Sequence, residues 1–429
     1  MSGEFLQKRD GLKPSLGFWD ATAISVGAMI GAGIYVVVGI AAGYAGSALA
    51  VSMVLAALVS TFTALSFCEL TAWQPLEGSI YEYAYQLISP FAGFLTGWMW
   101  IISNTFAGAA VALGFASYLH ALFPVFPTNL AAALLCIFFT AVNFVGVRQS
   151  ALLNNVLVAA KLAILGSFVV YGAFYVEPSN FAGFNPFQSG VLYAAFYIFF
   201  AYGGFARVAV IAEEVKDARR NVPRAILLSL LISTTVYVLV GTVAVGLVGA
   251  SKLAGSNSPL TEAIKATGSA AAAYTVSAGG LIATASVLLT AILGVSRMMY
   301  AMARRRALPQ SLGRFHPAFN TPYYSVWITG AAMTMLVLFV DLTRVVAVST
   351  FALLFYYTLA NTAALKIKNH KRRYQKAIST IGAATCLTFL TITLPIKPEA
   401  WTTGTATLAL GALYYWVKMR LENTRKREA

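Results

Sequence analysis

Charge is what this chain has least of. Only 10% of its 429 residues are Asp, Glu, Lys or Arg. Soluble domains carry roughly 25%, so there is too little charge here to wet the surface of a water-soluble fold. Cysteine and histidine are equally sparse, at three each. Cys68, Cys136 and Cys386 all lie inside apolar runs, and an odd, widely spaced set offers neither a disulfide framework nor a metal spacing. His120, His316 and His370 are scattered. There is no H-E-x-x-H, no G-x-S-x-G and no phosphate loop, which removes the motif basis for an enzyme. Repeated filter loops and charge rings, the marks of a channel, are missing too. Alternating strands of the outer-membrane type are not seen. No cofactor and no metal are expected. The first residues are polar for about 14 positions and then enter a long apolar run without a small-residue cleavage site, so no signal peptide is expected.

What is present is hydrocarbon. Hydrophobic residues make up 59% of the chain and mean hydropathy is +0.73. Apolar runs of about 20 residues recur along nearly the whole length, and each could cross roughly 30 Å of bilayer as a helix. They predict an all-α polytopic membrane protein of twelve transmembrane helices. Its parts are a short N-terminus (1–17), a first five-span set (18–176), a second five-span set (190–366), two further helices (374–418) and a tail (419–429).

The net charge of +15 reads as topology. With the N-terminus inside, 23 of the 30 Lys and Arg fall in inside segments and 4 outside. The remaining three, Lys161, Arg207 and Arg297, fall within spans. Such a bias predicts both termini in the cytoplasm and a partner in the anionic inner leaflet, with no role for nucleic acid.

Two spans carry glycines near their middle. Span 1 reads Ser25-Val26-Gly27-Ala28-Met29-Ile30-Gly31-Ala32-Gly33-Ile34-Tyr35, and span 6 reads Phe199-Phe200-Ala201-Tyr202-Gly203-Gly204-Phe205-Ala206. Mid-span glycines serve close helix packing or mark a break in the helix. Spans 1 and 6 open the two five-span sets, and matched interrupted helices point to a midplane site in secondary transporters. A break frees backbone groups that must then be satisfied by protein, water or ligand. Lys161, about ten residues into span 5, is the other anomaly. An ionisable group at that depth costs about 2.5–3.5 kcal/mol and marks function by default. A structural pairing to a carbonyl is the bland alternative.

In Gly31-Ala32-Gly33-Ile34 the chain resembles the helix 1 signature of the amino acid–polyamine–organocation transporters. Phe200-Ala201-Tyr202-Gly203-Gly204-Phe205 resembles that family's helix 6 break, and Glu213-Glu214 with Pro223-Arg224 the stretch that follows it. Glu69-Leu70, Pro75, Gly78-Ser79 and Tyr81 resemble its helix 2 to helix 3 segment, and Ser296-Arg297 with Tyr300-Ala301 the end of its helix 8. The order is kept from about Gly17 to Asn320. The chain departs from the pattern at Lys216-Asp217-Ala218, at Ser79, and at Arg305-Arg306, all at loop edges.

The resemblance implies a 5+5 inverted repeat with broken helices 1 and 6, and a secondary transporter of the plasma membrane working by alternating access. Free N–H groups at the start of a helical segment suit an anion. A substrate α-carboxylate is therefore expected at Gly31, Ala32, Gly33 and Ile34. The ammonium is expected at the carbonyls of Ala28, Met29, Phe200, Ala201 and Gly203. Ser103 and Asn104 on span 3 are expected near the side chain. Some cationic amino acid transporters of the family carry Glu where Ser103 stands, so a neutral substrate of small to medium size is expected. Tyr202 and Phe205 are expected to gate or line the site, or simply to pack. In proton-coupled members a helix 5 lysine occupies the sodium site of sodium-coupled relatives. Lys161 matches it and is expected to carry the coupling proton, touching a carbonyl near Gly27 and the Ser286 hydroxyl, with Thr284 and Thr290 as alternatives. Other readings of the same fold are an amino acid exchanger, a polyamine or other amine transporter, and an amino acid-sensing receptor.

Overall fold

The computed structural model describes residues 14–75, 80–125, 127–146, 151–319, 321–368, 372–392, 394–395 and 397–428. Gly78, Ser79, Asn320, His370 and the loop cations Lys8, Arg9, Lys13, Arg148 and Lys371 lie outside them.

In hydrocarbon the backbone must satisfy its own hydrogen bonds, and the helix does so locally. The described residues accordingly form helices in chain order: α1 (Phe18–Met29), a π-helical turn (Gly33–Val37), α2 (Val38–Ala45), α3 (Leu49–Trp73), α4 (Ile80–Leu87), α5 (Pro90–Leu122), α6 (Thr128–Val145) and α7 (Ala151–Ala173). There follow α8 (Ser189–Tyr202), α9 (Arg207–Val210), α10 (Ala218–Ala254), α11 (Pro259–Lys265), α12 (Ala270–Arg304), α13 (Tyr323–Phe339), α14 (Leu342–Leu365), α15 (Lys376–Ile392) and α16 (Pro398–Glu428). The chain is a multi-pass α-helical membrane protein. Eight helical segments among the described residues have the length and hydropathy to cross a bilayer. The first, Phe18–Trp73, has 56 residues. At 1.5 Å per residue that is about 84 Å, more than two bilayer crossings. Two shorter apolar helices, α13 and α15, have 17 residues each.

Burial sorts these helices. Phe138 on α6, Val156 and Val170 on α7, and Leu413 on α16 turn outward, as suits lipid-facing walls. Packed between them, α1, α5, α8, α12 and α14 form the interior. Hydroxyls inside the helices mostly return to their own backbone, as Thr96 does to the Ala92 carbonyl at 2.7 Å.

The end of the bundle where α1 begins is stitched by backbone and carboxylate contacts. Ser15 and Leu16 N–H both donate to the Glu214 carbonyl at 3.0 Å, and Lys216 N–H returns to the Leu16 carbonyl at 2.9 Å. The buried Glu69 carboxylate accepts from the N–H groups of Arg373, at 2.8 and 3.0 Å, and Tyr374, at 3.0 Å. It fastens the segment that follows α14. Arg305 grips Glu82 with two bonds of 2.6 Å. Arg297, near the end of α12, is exposed.

Candidate functional site

The site is built where two interrupted helices cross. The chain leaves α1 at Ile30, whose ψ of 91° is extended, and resumes in the π-helical turn at Gly33. The other interruption lies between α8 and α9, across Gly203–Ala206. A Cβ at Gly33 would stand 2.3 Å from the Ala201 Cβ, and one at Gly204 would stand 2.5 Å from Ala28 C and Met29 N. Only hydrogen fits at either position. These two glycines let the backbones touch where both have lost their helical bonds.

The freed groups can be followed one by one. A helix end leaves carbonyls without intrahelical partners. At the end of α1, Val26 C=O accepts from Ile30 N–H at 2.9 Å. The Gly27 and Ile30 carbonyls accept from Lys161 Nζ at 3.1 and 3.0 Å. Met29 C=O accepts from the Tyr237 hydroxyl at 2.7 Å. Ala28 C=O has no donor among the described residues. Beyond the break, the N–H groups of Gly31, Ala32, Gly33 and Ile34 find no backbone acceptor among the described residues, and the first bond of the new segment is Tyr35 N–H to Gly31 C=O at 3.2 Å.

At the second break the carbonyls are taken up. Phe200 C=O accepts from Gly203 N–H at 3.1 Å. Ala201 C=O accepts from Tyr237 Oη at 3.0 Å, Gly203 C=O from Tyr357 Oη at 3.2 Å, and Phe205 C=O from Ser25 Oγ at 3.2 Å. Of the five carbonyls expected to hold an ammonium, Ala28 alone is left without a donor among the described residues. The Met29 and Ala201 carbonyls share one tyrosine hydroxyl, and Tyr357 takes that of Gly203. Sequence reasoning passed over both tyrosines because nothing in an apolar run marks which hydroxyl reaches across.

A cavity of about 50 Å³ lies at the crossing, enough for a few waters. Its wall includes Ala28, Met29, Gly31, Ala32, Gly33, Ser103, Asn104, Phe200, Ala201 and Gly203. Ile34, Tyr202 and Phe205 are not part of it. Tyr202 stacks edge-on to Tyr237 at 5.2 Å, and Phe205 packs against Phe67 and Tyr357 at 5.6 and 5.3 Å. Both make ring contacts with neighbouring helices. The Ser103 hydroxyl is spent on the Ser349 carbonyl at 2.9 Å, and Ser349 returns the bond at 2.8 Å. This pair ties α5 to α14. Wall residues that the sequence did not suggest include Gly204, Val287, Ser349 and Tyr356.

Arg207 also belongs to the wall. Its guanidinium donates to the Thr290 carbonyl at 3.1 Å and to Asn104 Oδ1 at 3.3 Å. Glu69 is occupied elsewhere, on the backbone of Arg373 and Tyr374.

Lys161 is 1% exposed. It reaches α1 because Gly27 lets α7 in close: a Cβ there would stand 2.8 Å from Val158 Cγ2, and Val158 and Lys161 share a helix face. The expected hydroxyl partner is corrected. Ser286 Oγ donates to Ala283 C=O at 3.0 Å, Thr284 to Gly280 and Thr290 to Val287, all in their own helix. Back-bonding of this kind is the default for Ser and Thr inside helices. In place of a hydroxyl, the second partner of Lys161 is the Ile30 carbonyl.

A family model described as amino acid permease matches residues 16–417. The chain belongs to the amino acid permease family. An uncharacterised transporter of Mycobacterium tuberculosis is 36% identical over 98% of this chain and 94% of its own length. The methylthioribose transporter of Bacillus subtilis is 31% identical over 96% of this chain and 95% of its own. The branched-chain amino acid permease of the same organism is 30% identical over 86% and 84%. The amino acid permease described here is thus a membrane transporter and not an enzyme. Its relatives' names range from a sugar thioether to branched-chain amino acids, so substrate must be argued from its own wall.

Proposed function

We propose that this permease is a proton-coupled secondary transporter that moves a small to medium amino acid across the cell membrane by alternating access. In this reading it has twelve spans arranged as a 5+5 inverted repeat plus two helices, with both termini cytoplasmic. The observation that carries the substrate class is the split backbone around Ile30. Among the described residues, four amides without acceptors and one carbonyl without a donor flank the α1 break, and Ala28, Gly31, Ala32 and Gly33 line one cavity. A carboxylate suits the amides and an ammonium suits Ala28, and an amino acid zwitterion carries both. An uncharged Ser103 and a cationic Arg207 in the same wall both weigh against a cationic side chain.

Lys161 supplies the coupling. As an ammonium it bridges Gly27 and Ile30, one on each side of the end of α1, where the helix dipole favours positive charge. Loss of the proton removes that attraction, and α1 is freed to move relative to α7. Reprotonation from the other side resets the bridge. The test is uptake of radiolabelled amino acids into proteoliposomes in sodium-free buffer. An inward proton gradient is expected to drive accumulation. A requirement for sodium, or indifference to the gradient, overturns the coupling.

A further inference from the structure

Two cations, Lys161 and Arg207, stand at the crossing of the broken helices, and no carboxylate lies within 4 Å of either among the described residues. Lys161 is engaged by two helix-end carbonyls. Arg207 is differently placed. Its five guanidinium donors meet two neutral acceptors, Asn104 Oδ1 and the Thr290 carbonyl. It is also held in position. Asn104 Nδ2 is fixed to the Trp100 carbonyl at 2.9 Å, which turns Oδ1 toward the guanidinium. On the far side the guanidinium passes Gly294, where a Cβ would stand 3.6 Å from Nη1. A largely buried arginine with spare donors, aimed by its neighbours and lining a cavity, has the chemistry of a carboxylate clamp.

We infer that Arg207 receives the side-chain carboxylate of an acidic amino acid, making this permease a carrier of aspartate or glutamate. The inference rests on the zwitterion reading above and replaces the neutral substrate expected from Ser103 alone. The α-carboxylate and ammonium lie against the α1 break, and the second carboxylate against Arg207, with Asn104 orienting the fork. A monoanionic substrate offsets the charge that Arg207 brings into the membrane interior, where an unbalanced cation is costly. A cationic side chain meets repulsion at the same place.

Proteoliposomes carrying the full-length chain test this by competition and by variant. Unlabelled L-aspartate and L-glutamate are expected to inhibit uptake at concentrations at least tenfold below L-alanine, L-asparagine or L-arginine. Arg207→Ala is expected to raise the KM for the acidic substrate at least tenfold and to shrink the preference for L-aspartate and L-glutamate over L-alanine. Arg207→Lys, which keeps the charge and loses the fork, is expected to fall between. If L-alanine enters and the acidic amino acids do not compete, the inference is overturned and the transport reading stands. If the variant keeps wild-type acidic uptake, it is overturned as well. If no amino acid enters, the transport reading falls and takes this inference with it. The wild-type competition decides the matter even where a variant fails to insert.

Discussion

The two interrupted helices differ in how their loose ends are used. At the α1 break four amides and the Ala28 carbonyl have no protein partner among the described residues, and Lys161 holds the flanking carbonyls. At the α8–α9 break, Tyr237, Tyr357, Ser25 and the Gly203 amide take up the carbonyls. Matched glycines in a sequence therefore do not make matched sites. At one break the amides have no acceptor among the described residues, and at the other hydroxyls take up the carbonyls.

The sharpest way to break this contrast is to remove the cation. Lys161→Ala leaves the Gly27 and Ile30 carbonyls without their donor, and gradient-driven accumulation in proteoliposomes is expected to fall more than tenfold while the protein still inserts. Next in size is Gly204→Ala. Its methyl would fall 2.5 Å from the α1 backbone, and overpacking of this kind costs about 1–3 kcal/mol. A lower melting temperature in detergent and several-fold slower uptake are expected. Gly43→Ala makes a milder comparison, since its Cβ would find its nearest neighbour at 3.2 Å.

Tyr237→Phe tests the seal. Hydrogen bonds between membrane helices are worth about 0.6 kcal/mol each and at most about 1.7, and Tyr237 shares its one proton between two carbonyls. A loss of about 1 kcal/mol and a few-fold change in uptake are expected, with the pH dependence unaltered. The smallest effect belongs to Ser286→Ala. Among the described residues its hydroxyl bonds only within α12, so stability is expected to stay within about 0.5 kcal/mol and uptake within twofold. A large loss there would restore Ser286 as a partner of Lys161.

What the sequence made legible was set by local chemistry. Long apolar runs with so few charges have one physical solution, the membrane helix, and three glycines within Gly27–Gly33 mark where that helix weakens. Lys161 stood out because ionisable groups are rare at such depth. The illegible part was tertiary. Whether Tyr237 or Tyr202 reaches the breaks depends on rotation about helices whose every face is apolar. The pairing of Ser103 with Ser349 joins residues 246 positions apart. Ser286 misled because a hydroxyl in a membrane helix has a partner one turn back, and a distant one must compete with it. Arg207 was visible as an oddity, yet only the fold shows that Asn104 and Thr290 aim it at the cavity.

The short pairing of Ser15 and Leu16 with Glu214 and Lys216 has a mechanical consequence. Leu16 lies two residues before α1, and Glu214 lies four residues after the end of α9. The two interrupted helices are thus yoked at one end of the bundle, and Tyr237 links them again at the crossing. A pair of levers joined at two points along their length cannot swing separately. On the alternating-access proposal, the first helix and the second are expected to tilt together and leave α7 and its lysine behind.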